Sequence, residues 1–182
     1  MRMTARWNNE RPRVLVVACS DGRLQQITDE FLLRERGITR YDRLYVPGGI
    51  GALSASGRDF MRAQQLQQEC KYLVQLHRVE HVIALFHGPA PDGPTDAVCA
   101  DYRRKFEWAT PSEIRAHQEE DAKDLLRYRH EWAANAAISI YRCEVNGQHD
   151  LGFVQLHADH HAKPLHSGPQ PRPPGHMTEG RD

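Results

Sequence analysis

The stretch Val14-Leu15-Val16-Val17-Ala18-Cys19-Ser20-Asp21-Gly22-Arg23 decides the fold class. Its apolar run has no polar alternation and is rich in valine, the pattern of a strand buried on both faces of a parallel sheet. The run stops at a cysteine, an aspartate and an arginine, each two residues from the last. One strand end therefore delivers a thiol, a carboxylate and a guanidinium to one place. A second apolar run, Val82 to Phe86, ends at His87-Gly88-Pro89-Ala90, and no cysteine follows directly. The two strand ends together suggest a metal-type site with one ligand missing.

The elements between them complete an α/β pattern. Arg13 to Ala18 reads as strand one. Leu24 to Arg36 carries Leu24, Ile27 and Phe31 at helical spacing, with Gly37 as a stop. Leu44 to Val46 is a short second strand, followed by Pro47-Gly48-Gly49, a glycine loop where backbone can approach a ligand. Arg58 to Arg78 is an amphipathic helix with Ala63, Leu66, Cys70, Leu73 and Val74 on one face. His81 to Phe86 is the third strand, and the proline-rich segment from His87 to Pro94 is expected as an irregular loop. Thr95 is expected to cap a helix running to Trp108. A further helix starts after Pro111 and runs to about Ala134. Ala137 to Val145 and Leu151 to His157 flank Asn146-Gly147, a hairpin signal with a longer loop than two residues.

Strands alternating with helices predict a parallel central sheet flanked by helices, with a C-terminal antiparallel hairpin strand. Ligands in such sheets bind beyond the carboxyl ends of the strands. Cys19, Gly48, Gly49 and His87 are expected to face one crevice there. Residues 1–161 are expected to form this domain, and 162–182 a disordered tail rich in proline, glycine and histidine. The histidines from His157 to His166 read more readily as a solvated tail than as a chelating cluster.

Bulk properties narrow the function. The 182 residues carry 24 Lys+Arg and 24 Asp+Glu, a formal net charge of zero. Nothing in that balance favours nucleic acid or an anionic membrane. No apolar stretch is long enough to span a bilayer, and the polar start has no signal-peptide core, so a cytoplasmic location is expected. Cys19, Cys70, Cys99 and Cys143 form no C-x-x-C pair and read as reduced thiols.

The chemistry-bearing residues each have a bland alternative. Cys19 is expected to be a metal ligand or nucleophile, its thiol pKa lowered by the following helix and by Arg23. Pairing with Arg23 keeps Asp21 ionised. The plain alternative is a buried cysteine, a helix-capping aspartate and a surface arginine. Three residues between Cys19 and Arg23 are too few to ring a phosphate oxyanion, which excludes a phosphatase-type loop. His87 is a ligand or a hydrogen-bonded structural histidine.

The order of these motifs resembles the β-class carbonic anhydrases: Cys19-Ser-Asp21-Gly-Arg23, a glycine loop, an amphipathic helix, Phe86-His87-Gly-Pro-Ala90, then Tyr141-Arg-Cys-Glu-Val-Asn-Gly147. The resemblance covers roughly Arg13 to His157. It implies that Cys19 and His87 bind zinc and that Asp21 and Arg23 form a dyad that orients hydroxide. It implies homodimer formation and a lyase that turns carbon dioxide into bicarbonate. The third ligand, a cysteine three residues after the histidine, falls at Ala90, whose methyl group binds no metal. Asp21 is the expected replacement. Cys99 is a further candidate, for which a buried core cysteine is the preferred reading. The leading expectation is a divergent member with an incomplete zinc site, little or no carbon dioxide hydration, and a small-anion site at Arg23 and the Gly48-Gly49 backbone. The alternatives are a working zinc enzyme on Cys19, Asp21 and His87, or a non-catalytic interaction module presenting the helix from Ser112 to Ala134.

Overall fold

The computed structural model describes residues 7–56 and 59–159. The expected tail, 162–182, lies outside the described residues. Five strands form one sheet in the order β2-β1-β3-β4-β5. They are β1 (Val14–Cys19), β2 (Asp42–Val46), β3 (His81–Pro89), β4 (Ala137–Val145) and β5 (Leu151–Ala158). The first four run parallel, and β5 pairs antiparallel with β4. This is the parallel sheet with a terminal antiparallel strand that the alternating pattern predicts.

The unbroken apolar runs are explained by cover on both faces. Leu15, Val17, Val82, Ala84, Phe86, Ile138 and Ile140 point to one side. There they pack under α2 (Phe60–His77), α3 (Ala100–Lys105) and α4 (Pro111–Arg127). Val14, Val16, Ala18, Ile83, Leu85 and Tyr141 point to the other side, against Phe31 and Leu32. Those two belong to the π-helical turn Phe31–Glu35 that extends α1 (Gln25–Glu30). Each fully buried aliphatic side chain contributes about 1.5–3 kcal/mol. Among the described residues, no helix is long and apolar enough to cross a membrane.

Three expectations change. Strand β3 does not stop at Phe86 but continues to Pro89, paired with β4 as His87↔Cys143, Gly88↔Glu144 and Pro89↔Val145. Proline is tolerated because Ala90 N–H donates to Val145 O, so the alternate position 89 faces away from β4. The segment after Pro94 opens with a short 3-10 turn, Thr95–Ala97, and the helix proper begins at Ala100 with Cys99 as its N-cap residue. Helix α4 is capped by Thr110, whose side chain and that of Glu113 reciprocate as a capping box. It ends at Arg127, not near Ala134, because Trp132 folds back and donates its indole N–H to Leu125 O.

The Gly48-Gly49 turn is packed, not open. Both have positive φ, +93° and +56°. A Cβ on Gly48 would lie 2.4 Å from Asp101 Oδ2, and one on Gly49 would lie 2.6 Å from Leu85 O and 2.8 Å from Cys19 N. The turn is thereby pressed onto the end of β1 and onto the middle of β3 at Leu85. Gly49→Ala is expected to lower unfolding free energy by about 2 kcal/mol or more, from the left-handed backbone and the clash combined. Gly152→Ala, where a Cβ meets nothing within 4 Å, is expected to stay within about 0.5 kcal/mol. Urea denaturation of both variants checks the pair.

Candidate metal centre

The site lies where neighbouring strands end at different heights. Strand β1 pairs with β3 only as far as Val17↔Ala84, while β3 runs on beside β4. Beyond Ala84, odd-numbered β3 carbonyls face the side that β1 has left, and helix α4 takes their place. Gln118 Nε2 donates to His87 O at 2.9 Å, and Arg115 Nη1 donates to Pro89 O at 3.0 Å. Three residues apart, these two side chains share a helix face. They give the exposed end of β3 the partners that a strand would have given, and so hold His87 in place. Arg115 also pairs with Glu144 at 2.5 Å, and Glu144 accepts from the buried Arg142 at 2.7 Å.

Cys19 ends β1. Ser20 N–H still donates to Val46 O, and the chain then turns into a 3-10 helix, Gly22–Leu24. Asp21 caps that turn, accepting the Arg23 amide at 3.1 Å. Its carboxylate also accepts from the Arg23 side chain, Nε at 3.1 Å to both oxygens and Nη2 at 2.7 Å to Oδ2. The capping and ion-pair readings of Asp21 therefore both hold.

The third member arrives from elsewhere. After Ala90 the chain reverses, with Gly93 N–H donating to Ala90 O, and returns through the buried Ala97 and Val98 to Cys99. Cys99 O then accepts from Arg103 N–H in the first turn of α3. Asp101 fixes that turn: Oδ1 accepts from Arg62 at 2.9 Å and Arg104 at 3.2 Å, and Oδ2 sits over Gly48. Tyr102 donates to Asp121, which also accepts from Ser54 at 2.8 Å. Lys105 donates to Gly51 O at 2.6 Å.

The ligating atoms of Cys19, His87 and Cys99 all lie within 4.8 Å of one another. Cys99 is 1 % exposed and His87 5 %, while Cys19 is half-buried. His87 Nε2 is buried and has no hydrogen-bond partner. Two sulphurs and an unpartnered imidazole nitrogen fit a soft divalent cation. Sulphurs on a tetrahedral zinc lie about 3.8 Å apart, as bond lengths of about 2.3 Å require. The expectation of only two donors outside Asp21 thus gives way to a Cys-His-Cys cluster. Asp21 is not a member of that cluster, since Arg23 engages both of its oxygens.

Cys99 was hidden in the sequence by the misplaced helix start. Read as part of a helix from Thr95 to Trp108, it looks like core. Read as the residue before Ala100-Asp101, with an acidic residue in the first turn, it becomes an N-terminal residue aimed at a strand end.

Charge in the site is uneven. Cys99 donates its thiol hydrogen toward Cys19, which is the main cause holding the Cys19 thiol well below its usual range; burial opposes this, and His87 adds to it. The same hydrogen bond, together with burial, drives Cys99 upward. Asp21 is lowered to about 2, first by hydrogen bonds from the Arg23 side chain. Cys143, opposite His87 on β4, is raised to about 12 by burial. A small cavity beside Cys19 and His87 is walled by Ala18, Leu24, Thr28, Leu85, Phe86 and Cys143.

No protein-family model matches the chain. No curated protein matches it. Solved structures do. A carbonic anhydrase from Streptococcus mutans is 17% identical, with 84% of this chain and 87% of that one aligned at a TM-score of 0.48. A β-carbonic anhydrase isoform I from Trichomonas vaginalis is 10% identical over 86% and 88%, at 0.45. A carbonic anhydrase from Glaciozyma antarctica is 18% identical over 80% and 82%, at 0.43. These are distant likenesses of fold.

The electrostatics make a pH prediction for the metal-free protein. The folded Cys19 pKa lies below that of an unfolded thiol, about 8.5. Its thiolate contribution to stability is therefore full above that value and is lost as pH falls through the folded pKa. Alkylation of Cys19 by iodoacetamide is expected to hold its pH-independent rate to below about pH 7, as thiolates in such settings do. Cys99→Ala removes the main cause and is expected to move the midpoint up. Mass-spectrometric rate measurement at Cys19 in both chains is the check.

Proposed function

We propose that Cys19, His87 and Cys99 hold a zinc ion and that the site hydrates carbon dioxide to bicarbonate. The observation that carries the reading is the convergence of the three donors within 4.8 Å at the carboxyl ends of the strands. The Cys19-Ser-Asp21-Gly-Arg23 motif beside them supports the carbonic-anhydrase type of chemistry over a purely structural zinc. When bound on three protein ligands, zinc supplies a Lewis acid that makes water nucleophilic near neutral pH.

The chain's own residues support the rest. Asp21 stays ionised at neutral pH, so it is an acceptor only, suited to orient the hydrogen of a water in the site. Arg23 fixes Asp21 with Nε and Nη2, and most of its side chain is exposed. It suits a small anion such as bicarbonate. The cavity beside Cys19 measures about 10 Å³, room for no more than a water-sized guest. Gly48 and Gly49 act through packing, since Asp101, Leu85 and the end of β1 fill the space a ligand would need on them. Exposed Phe60, Met61, Tyr72 and Leu76 on α2 support self-association as a homodimer.

Purified full-length protein is expected to carry about one zinc per chain and to speed carbon dioxide hydration, followed by stopped-flow with a pH indicator. Cys99→Ala is expected to lower zinc affinity at least about 100-fold and abolish hydration, because two donors bind this ion weakly. Ala90→Cys, which would matter if the site lacked a ligand, is expected to leave affinity nearly unchanged. Unaltered zinc content in Cys99→Ala, or a large gain in Ala90→Cys, would contradict the reading.

A further inference from the structure

We propose that Cys19 and Cys99 are a redox pair, closing to a reversible disulfide when a hydroperoxide reaches the site without its metal. The proposal stands on geometry and is separate from the identity of the metal. The two sulphurs lie within 4.8 Å, and closing to the roughly 2.05 Å of a disulfide requires them to move together. They differ in access. Cys19 is half-buried at the strand end, whereas Cys99 is buried behind it. A small oxidant therefore meets Cys19 first, and the second thiol waits on its inner side. Of the other cysteines, Cys70 is buried on the inner face of α2, and Cys143 shares the wall of the small cavity beside Cys19 but is not a member of the three-donor cluster.

The chemistry balances in two steps. The Cys19 sulphur attacks one oxygen of hydrogen peroxide; a sulphur–oxygen bond forms, the oxygen–oxygen bond breaks, and water leaves with the thiol proton. The Cys99 sulphur then attacks the Cys19 sulphenic acid; a sulphur–sulphur bond forms, and hydroxide leaves with the Cys99 proton as a second water. The two thiols lose two electrons and two protons in all, which reduce one peroxide to two waters. The product keeps His87 but removes both thiolates from the donor set. Oxidation and metal binding therefore exclude each other at the same two atoms. Capture by Cys99 also stops Cys19 short of the irreversible sulphinic acid.

The test uses full-length protein stripped by chelator and treated with one equivalent of hydrogen peroxide. Titratable thiols after denaturation are expected to fall from four to two, and to return with dithiothreitol. Peptide mapping without reductant is expected to find the Cys19 peptide joined to the Cys99 peptide. In Cys99→Ser, given at least two equivalents of hydrogen peroxide, one for each oxygen added, Cys19 is expected to pass to sulphinic acid that dithiothreitol does not reverse. A bridge to Cys70 or Cys143, or sulphinic acid at Cys19 in the native chain with Cys99 still a thiol, would overturn the proposal. So would four surviving thiols. The native chain alone decides these outcomes, even if the variant does not fold.

Discussion

The site exists because β3 outruns β1. The two strands part company after Ala84, while β4 accompanies β3 to Pro89. A parallel strand stripped of one neighbour leaves every second carbonyl without a donor, and a buried carbonyl left so costs about 1–3 kcal/mol. Gln118 and Arg115 meet that demand from α4. The gap is therefore not filled by a strand, and it stays open to side chains. Cys19 enters it from the strand that stopped, His87 from the strand that continued, and Cys99 from the segment that crosses over the top.

The return of Cys99 depends on a second set of contacts. Asp101, two residues on, is held by Arg62 of α2 and rests against Gly48. Lys105 and Tyr102 tie the same short helix to Gly51 and Asp121. A six-residue helix has little stability of its own. These buried polar contacts, more than helix propensity, fix the sulphur. The glycines at 48 and 49 matter for the same reason: any side chain there would push Asp101 or the end of β1 aside.

Much of this was legible in the chain. Valine-rich runs marked both central strands, and their abrupt polar ends marked Cys19, Asp21, Arg23 and His87. What the sequence hid was contact between distant segments. Continuation of β3 through a proline depends on which way alternate amides face, and that is set by β4, some fifty residues on. The helix at Cys99 is capped four residues later than at Thr95, because the Thr95–Ala97 turn is a separate 3-10 piece. A fixed spacing from the histidine led to Ala90, whereas the protein brings its sulphur from farther along. Asp21 then needs no metal to account for it, since Arg23 takes both of its oxygens.

The most direct test of the Cys19-His87-Cys99 assignment is zinc K-edge X-ray absorption on the zinc-loaded protein. Two sulphurs at about 2.3 Å and one imidazole nitrogen at about 2.0 Å are expected in the first shell. Cys99→Ala is expected to leave a single sulphur there. A native shell with one sulphur and carboxylate oxygen would return Asp21 to the metal and contradict the account.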